Sequence, residues 1–132
     1  MEELLQAARA ALEYAYVPYS EYPVGAALET ADGSVYPGAN IEIANYSNSF
    51  HAEEVALVQA YMDGHTEFER IAVTSAARDG ITPCGMCRQT LAEFADADFS
   101  VIVDDPDGPT EHRLADLLPH SFSGELLEEA RD

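Results

Sequence analysis

The chain has 132 residues, 47% of them apolar, which suits one domain, residues 1–132, with its own hydrophobic core. Its 25 acidic residues face six arginines and no lysine, a formal charge of −19, and the arginines (Arg9, Arg70, Arg78, Arg88, Arg113, Arg131) stand singly, which argues against a nucleic-acid partner. No apolar run approaches the length of a membrane span, and Met1-Glu2-Glu3-Leu4-Leu5 lacks the basic start of a signal peptide, so the expected location is the cytoplasm with no membrane partner.

Leu4, Leu5, Ala8, Leu12 and Ala15 recur at helical spacing and predict an amphipathic helix over Glu2 to Ala15, ending before Pro18. Val24 to Thr30 and Ser34 to Ile41 flank the turn dipeptide Asp32-Gly33 and read as a strand hairpin. His51 to Met62 reads as a helix with Val55, Val58 and Met62 on one side, stopped by Asp63-Gly64. A buried strand follows over Arg70 to Ala76, then a helix over Cys84 to Ala95 through Cys87, Leu91 and Phe94, and a strand over Phe99 to Asp104. After a turn at Asp105 to Pro109, a short strand or loop leads to Leu114–Leu118, Pro119 and a final acidic helix. Strands alternating with helices predict a layered α/β domain with a mixed sheet, in which the hairpin is the antiparallel edge.

Two segments carry the chemistry. His51-Ala52-Glu53 and Pro83-Cys84-Gly85-Met86-Cys87 each fall at a predicted helix start. One imidazole and two thiolates, from His51, Cys84 and Cys87, leave a tetrahedral zinc with one open position, as in a catalytic rather than a closed structural site. Glu53 is then available to move protons. The pair matches the H-x-E and P-C-x-x-C signature of zinc-dependent base deaminases. Helix N-termini favour thiolate at Cys84 and Cys87, Pro83 suits the entry to a helix, and Gly85 lets the backbone close around a metal. Alone, Cys84-x-x-Cys87 could be a redox dithiol and His51 an ordinary polar residue; the combination with Glu53 is what points to a zinc site. His65, His112 and His120 lack such company and read as surface residues, His120 being the nearest to the site; Glu54 reads as a solvated helix residue.

Further segments extend the pattern: Tyr19-Ser20-Glu21-Tyr22-Pro23-Val24-Gly25-Ala26-Ala27, Gly38-Ala39-Asn40-Ile41-Glu42, Pro83 to Gln89, and Leu117-Leu118-Pro119-His120-Ser121-Phe122. With them, the chain resembles the short, homotetrameric cytidine deaminases over nearly its whole length. The resemblance implies a three-layer α/β/α fold with a mixed, five-stranded sheet and hydrolysis of cytidine and deoxycytidine to uridine and deoxyuridine plus ammonia. It also implies that Asn40 and Glu42 hold the ribose hydroxyls, that Tyr22 packs on the base, and that Phe122 reaches the base from a neighbouring subunit. The amide of Ala52 and those at the start of the Cys84 helix would steady the base. In the expected mechanism zinc acidifies a water, Glu53 takes its proton, delivers it to N3 as C4 is attacked, and helps the amine depart.

One departure stands out. Short members of that family usually carry cysteine in place of His51 and arginine in place of Glu54, whereas larger dimeric members use histidine. The two changes balance electrically: one imidazole with two thiolates makes a neutral zinc site that needs no compensating arginine. A dimer is therefore the alternative to the tetramer. The rival functions are a deaminase of another cytosine-containing small molecule of the blasticidin S type, a polynucleotide-editing deaminase, a C-x-x-C redox protein, and a non-catalytic zinc or nucleoside-binding module. The lysine-free acidic surface reads as an adaptation to a salt-rich cytoplasm, since screening to about 3 Å in molar salt makes such self-repulsion tolerable.

Overall fold

The computed structural model describes residues 1–131. Helix α1 (Glu2–Ala11) runs into a short 3-10 turn at Leu12–Tyr14, and is followed by strands β1 (Val24–Thr30) and β2 (Val35–Ala39) and helix α2 (Ala52–Met62). Then come β3 (Phe68–Ser75), α3 (Gly85–Phe94), β4 (Ser100–Asp105), β5 (Gly108–Arg113), α4 (Leu114–Leu117) and α5 (Gly124–Arg131). The segment after the Asp105 turn, open between strand and loop from the sequence, is a strand: β5 pairs antiparallel with β4. No helix among the described residues is long and apolar enough to cross a membrane.

The five strands form one mixed sheet in the order β2-β1-β3-β4-β5. The hairpin supplies the antiparallel edge, as expected, and β3 and β4 are the parallel pair. Alternation along the strands sorts the core into two faces. Ala27, Ala72 and Ile102 point to one side, against Leu4, Leu5 and Ala8 of α1. Ala26, Leu28, Ile71, Val73, Val101 and Val103 point to the other, against Ala52, Ala56, Leu57 and Ala60 of α2 and Leu91 of α3. The result is three layers, with α1 on one face and α2 and α3 on the other.

Topology then positions the site. Both β2 and β3 run antiparallel to β1 and therefore point the same way. The chain leaving each strand enters a helix, so α2 and α3 begin at the same end of the sheet. Two glycines let the outer layers approach closely. A Cβ at Gly25 would lie 2.2 Å from the Ala8 carbonyl oxygen of α1, and one at Gly38 would lie 2.1 Å from the Ala52 oxygen and 2.7 Å from the Ala56 nitrogen of α2.

The side of α2 that meets the sheet differs from the apolar stripe read from the sequence. Ala52, Glu53, Ala56, Leu57 and Ala60 are buried, while Val58 and Met62 are exposed. Small residues win the inner face because β2 presents Gly38 there, and only alanines allow the helix that close. On α3, Cys87 and Leu91 are buried as expected, but Phe94 is exposed beside Tyr61, ring centroids 5.7 Å apart.

On the α1 side one ion pair joins three elements. Arg9 Nε donates to Asp104 Oδ2 at 2.9 Å and its Nη2 to Oδ1 at 2.7 Å, while the Thr74 hydroxyl donates to Oδ2 at 2.8 Å. These bonds, the Arg9 guanidinium first, hold the Asp104 carboxyl below its ordinary range.

Two outcomes are expected from this packing. Gly38→Ala should lower unfolding free energy by about 1–3 kcal/mol in denaturant titrations, through overpacking of α2 on β2, whereas Gly124→Ala, where a Cβ meets nothing within 4 Å, should not. Because the Asp104 pKa is depressed on folding, its stabilisation is complete above the unfolded carboxyl pKa of about 3.9 and is lost as pH falls through the lower folded value. The stability gap between wild type and Asp104→Asn should therefore be constant near neutrality and close in acid.

Candidate metal centre and substrate cleft

The two helix starts bring the expected ligands together. His51 is the extended residue capping α2, with φ −87° and ψ 148°, and Cys84 caps α3 with φ −66° and ψ 169°. Cys87 follows in the first turn of α3 and is buried, while Cys84 is exposed. His51 Nδ1 lies 3.4 Å from Cys84 Sγ and 3.3 Å from Cys87 Sγ. All three ligand atoms fall within 4.8 Å of one another, and among the described residues no other His, Cys, Asp or Glu group gathers in this way. A tetrahedral zinc with ordinary Zn–S and Zn–N lengths has an S···N edge of about 3.5 Å, so these spacings fit that ion.

The electrostatics of the pocket fit it as well. Burial pushes the Cys87 thiol far up, with the neighbouring Glu53 and Cys84 adding to the effect. The sequence led us to expect the helix start to favour thiolate here; at Cys87 burial outweighs it. A divalent cation reverses that balance, because a coordinating thiol is deprotonated by the metal itself.

Glu53, on the second residue of α2, is 5% exposed and stands outside the ligand triad. Burial raises its carboxyl pKa, against the opposing pull of its own backbone amide, His51 and the Cys87 side chain. Glu54 is not the solvated residue the sequence suggested. It is half-buried, and its Oε1 accepts the His51 backbone N–H at 2.7 Å, closing the first turn of α2 and fixing the ligand's backbone. At Gly85 a Cβ would meet no protein atom within 4 Å.

A cleft of about 230 Å³ opens onto the triad, lined by Tyr22, Val24, Asn40, His51, Ala52, Glu53, Ile81, Thr82 and Cys84. Asn40 is tied down by the backbone, its Oδ1 accepting from Val24 N–H and its Nδ2 donating to the Tyr22 carbonyl, both at 2.9 Å. Glu42 lies outside this lining and is buried. Its Oε1 accepts the backbone amides of Tyr19 at 3.1 Å and Ser20 at 3.0 Å, and bonding to Ser20, side chain first, lowers its pKa. Phe122 is 54% exposed and outside the lining of the cleft. His120, expected closest of the remaining histidines, lines a different cavity with Ala92, Leu114 and Pro119. His65 sits at 3.9 Å from Asp32. Sequence reasoning missed Val24, Ile81 and Thr82 in the cleft; Thr82 and Ile81 were signalled only by standing directly before Pro83-Cys84.

Comparison with known proteins agrees with this geometry. The model of the cytidine and deoxycytidylate deaminase zinc-binding region matches residues 1–103. The chain belongs to this deaminase family. It is 41% identical over 133 aligned residues to the cytidine deaminase of Sporosarcina psychrophila, covering all of this chain and 98% of that protein. The crystal structure of cytidine deaminase from Burkholderia pseudomallei superposes with a TM-score of 0.86 at 40% identity, over 92% of this chain and 98% of that one. The cytidine deaminase of Mycobacterium tuberculosis gives a TM-score of 0.82 at 35% identity, over 92% of this chain and 95% of the other. The deaminase fold expected from the resemblance, with its five-stranded mixed sheet between helices, is thus the fold observed.

Proposed function

We propose that this deaminase hydrolyses cytidine and deoxycytidine to uridine and deoxyuridine with release of ammonia, in pyrimidine salvage. The observation that carries the proposal is the triad of His51, Cys84 and Cys87, with ligand atoms mutually within 4.8 Å, of which His51 and Cys84 line a cleft together with the buried Glu53. Residues 1–132 act as one deaminase domain.

His51, Cys84 and Cys87 would hold the zinc, which supplies a Lewis acid able to bring the pKa of water toward neutrality. Glu53, a carboxylate with a raised pKa and no place among the ligands, takes the proton of the attacking water. It delivers that proton to N3 of the base as oxygen bonds to C4, then carries the remaining hydroxyl proton from the C4 oxygen to the amino group, so that the C4–N bond breaks with loss of ammonia as the C4 carbonyl forms. Water and cytidine are consumed, uridine and ammonia are produced, and Glu53 ends as it began. The Ala52 amide, at the first turn of α2, is a donor for the base.

Asn40 retains a second amide hydrogen and Glu42 a second carboxylate oxygen beyond their backbone partners, which supports a role for both on the sugar hydroxyls. Tyr22, in the cleft lining, packs on the base. Phe122 is exposed and serves a neighbouring subunit's cleft in a homotetramer. Exposed Tyr14, Ile41, Phe50, Val58, Tyr61 and Met62 support an assembly in which copies cover one another. The charge of −19 without lysine supports a cytoplasm rich in salt.

Ultraviolet spectroscopy of zinc-loaded protein in multimolar potassium chloride should record loss of the cytosine band with matching ammonia release for both nucleosides, and slower turnover in dilute buffer. Glu53→Gln should keep zinc and fold yet lose turnover by about 10²–10⁴-fold or more. Folded, zinc-containing wild-type protein that leaves both nucleosides intact would overturn the substrate assignment, and a near-normal Glu53→Gln rate would remove Glu53 from the mechanism.

A further inference from the structure

Arg88, directly after Cys87, spends its guanidinium on neutral oxygens from two other parts of the chain. Nε donates to the Pro83 carbonyl at 2.8 Å, Nη2 to the Thr82 hydroxyl at 2.8 Å, and Nη1 to the Leu117 carbonyl at 2.7 Å. Pro83 is fully buried and is the residue joined to Cys84; Leu117 is the last residue of α4. The next residue of α3 continues the pattern, since Gln89 Nε2 donates to the Phe122 carbonyl at 2.8 Å. Two consecutive side chains of α3 therefore hold the two ends of the strap 117–122, and the first of them also holds the loop that delivers Cys84.

The strap is under constraint between those ends. His120 has φ 54°, in the left-handed region that costs a non-glycine residue free energy and persists only where surrounding contacts impose it. Three charge-assisted bonds from one planar fork fix relative positions in a way that a lysine ammonium does not reproduce.

We infer that Arg88 is a positioning residue that couples the Cys84 loop to the strap 117–122, so that metal occupancy and the order of the strap rise and fall together. The inference rests on the metal site proposed above. A metal bound at Cys84 immobilises the Thr82–Pro83 acceptors, which immobilise the Arg88 fork, which in turn holds Leu117. Conversely, loss of the fork frees Cys84 to leave the metal and frees the strap that ends in Phe122.

Hydrogen–deuterium exchange, read by mass spectrometry on peptides spanning 114–122, tests the coupling in zinc-loaded and chelator-stripped protein. In wild type the strap should exchange faster once zinc is removed, while β1 and β3 stay protected. In Arg88→Met and Arg88→Lys it should exchange fast with or without zinc, and zinc affinity in competition with a chromophoric chelator should fall by about 10–100-fold. Gln89→Leu, which frees only the Phe122 end and leaves the Arg88–Leu117 bond in place, should raise exchange at 120–122 yet keep the zinc dependence of exchange around Leu117 and a near-wild-type zinc affinity. Wild-type protein that binds zinc with strap exchange indifferent to it, or a folded Arg88→Met or Arg88→Lys with wild-type zinc affinity, would overturn the coupling. If Arg88→Met fails to fold, Arg88→Lys and the wild-type comparison decide. Wild-type protein that takes up no zinc would bring down the metal site, and the coupling with it.

Discussion

A buried thiol that resists ionisation sits within 3.3 Å of an imidazole nitrogen, and most of the molecule serves to keep it there. The contact exists because β2 and β3 both run against β1, so that the helices leaving them start at one end of the sheet. It is tight because α2 lies on Gly38 through alanines, and because His51 is pinned by Glu54 from within its own helix. Remove any of these and the two thiols and the imidazole still exist, but they no longer share a point.

Charge explains why this site uses its own balance. One imidazole and two thiolates neutralise a divalent zinc, so the position next to Glu53 does not need a cation. Here it holds Glu54, and the carboxylate has a structural use in accepting the His51 amide. In a chain with six arginines and no lysine, cations are scarce, and Arg88 is spent on carbonyl and hydroxyl oxygens around the metal loop rather than on one of the many carboxylates. Arg9 takes the other role, a bidentate pair with Asp104 that ties α1 to the sheet.

The succession of strands and helices made a layered α/β domain with a mixed sheet legible from the chain alone, and the turn at Asp32-Gly33 fixed the hairpin. The gathering of His51, Cys84 and Cys87 near a buried Glu53 was legible because coordination chemistry restricts residue type and spacing together. The inner face of α2 was not, since the choice of alanines over Val58 and Met62 depends on a glycine fourteen or more residues away in sequence and adjacent only in space. Nor were Glu54 and Arg88. Their partners are backbone atoms and, for Arg88, also the Thr82 hydroxyl, none of which carries a signature in the sequence, and only the folded chain brings Leu117 to Arg88. Asn40 and Glu42 fall between: their identities were informative, but their bonds to the Tyr22, Val24, Tyr19 and Ser20 backbone come from the fold.

The central claim is a zinc site with two sulfur ligands, one imidazole and one open position. X-ray absorption at the zinc edge of the loaded protein measures it directly. The expected spectrum shows two sulfurs at about 2.3 Å and two lighter atoms at about 2.0–2.1 Å, one of them from His51 and one from solvent. Four sulfurs, as in a closed site shared between chains, or a shell of light atoms with no sulfur, would contradict it.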